Sequence, residues 1–93
     1  MREKFIEHKL VTETNRCGGL AWKFVSPGVV GVPDRIILMP QGKIGFVEVK
    51  APHRKPRAIQ TRRIEQLQEL GFKVFVLDDV EQIKNVLEEI SNE

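Results

Sequence analysis

Ninety-three residues supply one small core, burying roughly 60–65% of the surface that the unfolded chain exposes. That length excludes a dinucleotide-binding domain joined to a substrate domain, and a TIM barrel of about 250 residues. Charged residues make up 30% and hydrophobic residues 41%, as in globular chains, and the net charge of +2 by itself selects no partner.

Ile6 and Leu10 lie four apart with Phe5 and Val11 beside them, so Arg2 to about Arg16 reads as an amphipathic helix stopped by Gly18-Gly19. Leu20–Val25 is a short strand, in which Trp22 reads as a core or interface residue. Ser26–Pro33 carries two glycines and two prolines and is a loop. Ile36–Met39 is a compact apolar strand, Pro40–Lys43 a turn, and Ile44–Val49 an antiparallel return strand. Ala51–Pro56 is a basic, proline-bounded loop. Arg57–Leu70 is a second helix with Ile59, Ile64, Leu67 and Leu70 inward and Gly71 as its stop. Lys73–Leu77 is a buried strand. Asp78 or Asp79 caps a last helix to about Ile90, with Val80, Ile83, Val86, Leu87 and Ile90 inward. The order is αβββαβα, an α/β fold in one domain over residues 1–93.

Charge is unevenly placed. Lys50 to Arg63 holds six basic residues and no acid, whereas Asp78 to Glu93 holds six acids against Lys84 alone. A basic tract is the footprint expected for a polyanion, and the acidic last helix is expected to lie away from it. Cys17 is the single cysteine, and His8 and His53 are scattered, so neither an internal disulfide nor a zinc spacing is present. Met1-Arg2-Glu3-Lys4 leads into mixed residues rather than an apolar run. A soluble, cytoplasmic protein without a signal peptide or membrane span is expected.

Asp34 stands at the start of one strand, and Glu48 and Lys50 leave the same face at the end of the next. Pairing through the Pro40–Lys43 turn would bring all three together. Two carboxylates and the Val49 carbonyl suit a divalent ion that prefers oxygen, and a neighbouring lysine can hold a water or offset phosphate charge. Phe46 shares that face, so a core-like row turns charged within one strand, at a desolvation cost that a metal would offset. Taken alone, Glu48 and Lys50 also fit two solvated charges on an edge strand.

Pro33-Asp34 with Glu48-Val49-Lys50 is similar to the PD-(D/E)XK nuclease signature. Lys23-Phe24-Val25-Ser26-Pro27-Gly28, Gly31-Val32-Pro33-Asp34-Arg35 and Val47-Glu48-Val49-Lys50-Ala51-Pro52 resemble the VRR-NUC (virus-type replication-repair nuclease) domain in a stand-alone form. The Gln60, Arg63, Leu67 and Leu70-Gly71-Phe72 run is similar to it as well. The resemblance implies a restriction-endonuclease-like core, with a mixed central sheet flanked by helices. It implies Asp34, Glu48 and the Val49 carbonyl as ligands of Mg²⁺ or Mn²⁺, Lys50 as the catalytic lysine and Gln60 as the brace of the site. It also implies Glu7 on the first helix as the completing acid, with Glu3 one turn earlier as the competing choice. Lys23 and Ser26 flank the site in the family, and Lys23 also fits a solvent-facing strand position.

Arg54, Lys55, Arg57, Arg62 and Arg63 are expected to meet DNA phosphates, which position a duplex without reading its sequence. Arg35 fits an ion pair or a DNA contact, and His53 a solvated loop histidine or a phosphate contact. No helix-turn-helix, zinc-finger or RNP-like pattern supplies base readout. The expected function is a metal-dependent DNA endonuclease acting on branched or Holliday-junction DNA as a homodimer, in a phage or bacterial setting, without a nucleotide cofactor. The rival readings are a non-catalytic DNA-binding module on the same scaffold and a small interaction protein that docks through its last helix.

Overall fold

The computed structural model describes residues 1–92. Its elements are α1 (Glu3–Arg16), β1 (Leu20–Lys23), β2 (Arg35–Met39), β3 (Lys43–Val49), α2 (Ala58–Glu69), β4 (Lys73–Leu77) and α3 (Ile83–Ser91). One-turn 3₁₀ helices, Pro40–Gly42 and Val80–Gln82, join β2 to β3 and lead into α3. This is the expected αβββαβα order in a mixed sheet flanked by helices.

The sheet runs β1-β2-β3-β4, antiparallel across the first two pairs and parallel between β3 and β4. A parallel pair needs a crossover longer than a hairpin, and α2 supplies it. The alternation of β3 decides the layers. Val47 and Val49 join Ile6 and Leu10 of α1 and Ile83, Val86, Leu87 and Ile90 of α3 in the larger core. Phe46 turns the other way and packs with Ile64 of α2 and Val74, beside Phe24, Ile36 and Leu67. Gly45 is where α3 comes closest: a Cβ there would sit 2.5 Å from the Ile90 side chain.

These directions gather the chain's polar loops. The ends of β1 and β3, the start of β2 and the end of β4 share one edge of the sheet. Residues 24–34 and 50–57 therefore leave from the same end, and α2 begins there.

Four expectations need correction. β1 ends at Lys23 rather than Val25, because Ser26-Pro27-Gly28 turns the chain, although the Phe24 N–H still donates to the Asp34 carbonyl at 2.9 Å. Leu70 is exposed rather than inward, since it caps α2 where the helix ends. Phe72 reaches back instead and meets the Phe46 ring edge-on, with centroids 5.8 Å apart. Asp79 caps the 3₁₀ turn, not α3 itself, by accepting the Glu81 N–H. Trp22 is not core: it lies on the outermost strand and is 57% exposed.

Candidate active site

Asp34 precedes β2 by one residue. Its Oδ2 accepts the Val49 N–H at 2.9 Å, and this bond ties the start of β2 to the end of β3. Glu48 is 1% exposed, because α2 lies over its face of the sheet. Two donors meet its Oε2: Gln60 Nε2 at 2.8 Å and Lys50 Nζ at 3.2 Å. Its other oxygen, Oε1, is buried and has no hydrogen-bond partner among the described residues. Gln60 is itself held, since its Oε1 accepts the Arg57 N–H at 2.8 Å in the first turn of α2. The Lys50 N–H donates to the Leu77 carbonyl, which extends the β3–β4 ladder to the lysine.

Burial pushes the Glu48 carboxyl above its ordinary value, and the neighbouring Asp34 charge adds to this. Hydrogen bonding and charge from Lys50 pull the other way without reversing it. Asp34, Glu48 and Lys50 therefore meet at one strand end as two acids and one base. A buried, unpaired carboxylate oxygen is costly, so most such groups are satisfied. The donor set, the orphaned Oε1 and the mutual repulsion of the two acids fit a divalent cation that prefers oxygen.

The other expected residues divide. Glu7 does not join the pair: its Oε2 accepts Arg35 Nε at 2.8 Å on the opposite face of the sheet. Among the described residues no three His, Cys, Asp or Glu side chains gather as a metal-holding group. Glu3 is exposed at the start of α1. Arg54, Lys55, Arg57 and Arg62 are exposed along the 50–57 loop and the start of α2, beside the site. Arg63 is half-buried and engaged within the chain: Nε donates to the Val30 carbonyl at 2.8 Å and Nη1 to Gln66 Oε1 at 2.9 Å. Lys23 is exposed at the end of β1, and Ser26 is half-buried in the cleft between the 24–32 loop and α2. His53 is exposed and takes φ +66°, a left-handed conformation uncommon outside glycine.

The residue not anticipated as an internal clamp was Arg63. A signal for it existed in Gly31, whose φ is +87° and whose missing Cβ lets Ile59 of α2 approach. A glycine against a helix marks a loop pressed onto that helix, where a nearby arginine finds carbonyls. A larger cleft than that between the 24–32 loop and α2 lies elsewhere, between the end of α1, Met39–Gln41 and α3, at the far end of the sheet from Asp34.

The profile of the VRR-NUC domain family matches residues 5–80. The chain belongs to the VRR-NUC family. It is 54% identical over 78 residues to a protein named "Putative nuclease p44" from Acyrthosiphon pisum secondary endosymbiont phage 1, covering 84% of each. A solved VRR-NUC domain shares its fold with a TM-score of 0.87 at 32% identity, over 92% of this chain and 94% of that one. A nuclease is therefore the class of the VRR-NUC chain described here, and the paired acids with their lysine lie within the matched segment. No helix among the described residues is long and apolar enough to cross a membrane.

Proposed function

We propose that this VRR-NUC chain is a divalent-metal-dependent DNA endonuclease that hydrolyses phosphodiester bonds, selects branched DNA of the Holliday-junction kind, and acts as a homodimer. One observation carries the reading: the buried Glu48 carboxylate, with Oε1 unpaired among the described residues, lies beside Asp34 and under Lys50. Asp34, Glu48 and the Val49 carbonyl would hold Mg²⁺ or Mn²⁺. When bound, the ion supplies Lewis acidity toward the phosphate and makes water more acidic.

The chain's own groups do the rest. Gln60 fixes the rotamer of Glu48, so that Oε1 stays free while Oε2 is occupied. The Val49 N–H fixes Asp34 in the same way. Lys50 Nζ stands where it can hold the attacking water and take up charge that builds on the phosphate. In-line attack breaks the bond to the 3′ oxygen and leaves a 5′-phosphate. The exposed Arg54, Lys55, Arg57 and Arg62 lie where a DNA backbone would approach this end of the sheet, with Lys23 and Ser26 on its flank. A phage or bacterial cytoplasm is the setting in which this DNA would be met.

The dimer is supported by a bare half-face of the sheet. Leu20, Leu38 and Ile44 form one cross-strand row, and Trp22 heads the next, on the α2 side of the sheet, where the cluster with Ile64 of α2 takes in Phe46, Val74 and Ile36 but none of these four. Leu20, Trp22 and Ile44 are exposed there. Exposed apolar groups gathered on one face mark an interaction surface, and a patch that meets its own copy suits a two-fold.

The test incubates purified protein with linear, nicked and four-way-junction DNA in Mg²⁺, Mn²⁺ or EDTA, and scores binding and cutting together. Cutting that needs the metal, favours the junction, and disappears in Asp34→Asn, Glu48→Ala and Lys50→Ala while binding persists is expected. Cutting in EDTA, or by Glu48→Ala, rejects the reading.

A further inference from the structure

Two charges stand back to back at the start of β2. Asp34 faces Glu48, and Arg35 faces α1, as strand alternation requires. Arg35 is the first residue of β2 and is paired on both sides, with Lys23 and with Val47. Asp34 precedes the strand and is held there by its carbonyl, which accepts the Phe24 N–H, and by its carboxylate, which accepts the Val49 N–H. Ends of secondary structure fray unless something fastens them. Arg35 fastens this one: Nε reaches Glu7 Oε2 at 2.8 Å and Nη1 reaches the Ala21 carbonyl at 3.0 Å. One guanidinium thus joins α1, β1 and β2 a single residue away from a site carboxylate.

The pair is well covered, with side chains 15% and 24% exposed. Water and salt screen it less than a surface pair, and removing either partner leaves the other's charge partly buried. Lysine cannot replace the arginine, because a point charge on a flexible stem does not serve a carboxylate and a carbonyl in one fixed fork.

We infer that Glu7 and Arg35 are a positioning pair, which seats the start of β2 against β1 and α1 and so sets the Asp34 carboxylate opposite Glu48. Glu7 then acts through Arg35 and not at the metal. The inference rests on the metal-dependent nuclease reading.

A double-mutant cycle tests it: Glu7→Gln, Arg35→Gln and the double variant, with Arg35→Lys as a second route into the cycle should Arg35→Gln not fold. Steady-state cleavage, melting temperature and calorimetric Mn²⁺ binding are measured on each. Each single variant is expected to lose about tenfold in kcat, the scale of a sub-ångström misplacement, with KM for DNA unchanged. The double variant is expected to be no worse than Arg35→Gln alone, since the two act as a unit. Additive losses overturn the inference, because Glu7 would then act on its own. So does a loss of Mn²⁺ binding in Glu7→Gln that Arg35→Gln does not share. A fall in melting temperature with full kcat below the transition also overturns it and leaves a structural ion pair. Asp34→Asn in the same assay separates the two levels: cleavage by that variant rejects the nuclease site itself, whatever the cycle gives.

Discussion

Gln60 Nε2 lies 2.8 Å from Glu48 Oε2, while the other end of the same amide accepts the Arg57 N–H. The start of α2 therefore dictates how the buried acid is turned, because the amide can point in one direction only. Gln60→Ala leaves Lys50 as the one donor to Oε2 among the described residues and frees the carboxylate to rotate. We expect a loss of about 10- to 100-fold in kcat at saturating metal, the range seen when a ligand loses its outer partner. Gln60→Glu keeps the shape but removes the donor and sets a third acid beside two, so its loss is expected to be larger. Wild-type turnover by Gln60→Ala in a steady-state assay would remove the orienting role.

Glu48 also makes stability depend on pH. Its folded-state carboxyl titrates above its ordinary value of 4.5, chiefly because it is buried and secondarily because Asp34 is near. Below 4.5 it is protonated both folded and unfolded, and its contribution is fully present. As pH rises, the unfolded chain ionises first. The contribution is lost progressively until pH has passed the raised folded value. In chelator, wild type should lose melting temperature relative to Glu48→Gln over that window, and the variant should be the more stable protein at neutral pH. Metal should reverse the order by stabilising wild type alone, by about 2.7 kcal/mol at a hundredfold excess over Kd. Parallel melting curves for the two proteins across pH in EDTA, and no separation on adding Mn²⁺, would contradict this.

Salt dependence separates the arginines. Arg54, Arg57 and Arg62 are exposed beside the site, whereas Arg63 donates to Val30 and Gln66. A residue that neutralises one phosphate contributes roughly 0.9 to the slope of log K against log salt. Arg54→Gln, Arg57→Gln and Arg62→Gln should each flatten that slope by about this amount, with folding intact. Arg63→Gln should leave the slope unchanged and lower the melting temperature, because it releases the 24–32 loop from α2. Fluorescence anisotropy with a labelled junction from low to moderate salt, on metal-free protein, measures it. A flattened slope in Arg63→Gln would return that residue to the DNA surface.

The element order was legible because apolar runs alternate with turn residues throughout, and each predicted strand and helix has its counterpart. The convergence of Asp34, Glu48 and Lys50 was legible on the condition that the two strands pair through the Pro40–Lys43 turn, which sets the start of β2 beside the end of β3. Side-chain partnerships were not. Glu7 reads as a site acid and Arg63 as a phosphate contact in the sequence, because Arg35 and the Val30 carbonyl, their partners at 2.8 Å, lie 28 and 33 residues away along the chain. Of the two readings of Trp22, core or interface, the structure removes the first for a related reason. Alternation places it on an apolar face, but only the position of α2 decides whether that part of the face is covered.

That bare half-face leads to the last prediction. Leu20 and Trp22 of β1 and Ile44 of β3 are exposed on one face, with Leu38 of β2 between Leu20 and Ile44, and β1 is an edge strand of the sheet. Large apolar side chains in such a patch stabilise an assembly by roughly 25 cal/mol for each square ångström they bury. Wild type should sediment as a dimer that dissociates on dilution. Leu20→Ser with Trp22→Ser should sediment as a monomer with little change in fold, because neither side chain belongs to a core cluster. Trp22 is the only tryptophan, so its emission should shift to the red as the wild-type protein is diluted through the same range. Separated protomers keep their site, and cutting of linear DNA should survive in the variant. Paired cutting of a four-way junction should fall at least tenfold, since two sites would no longer be delivered together. A wild-type protein that sediments as a monomer at every concentration would rule out the homodimer while leaving the chemistry of Asp34, Glu48 and Lys50 standing.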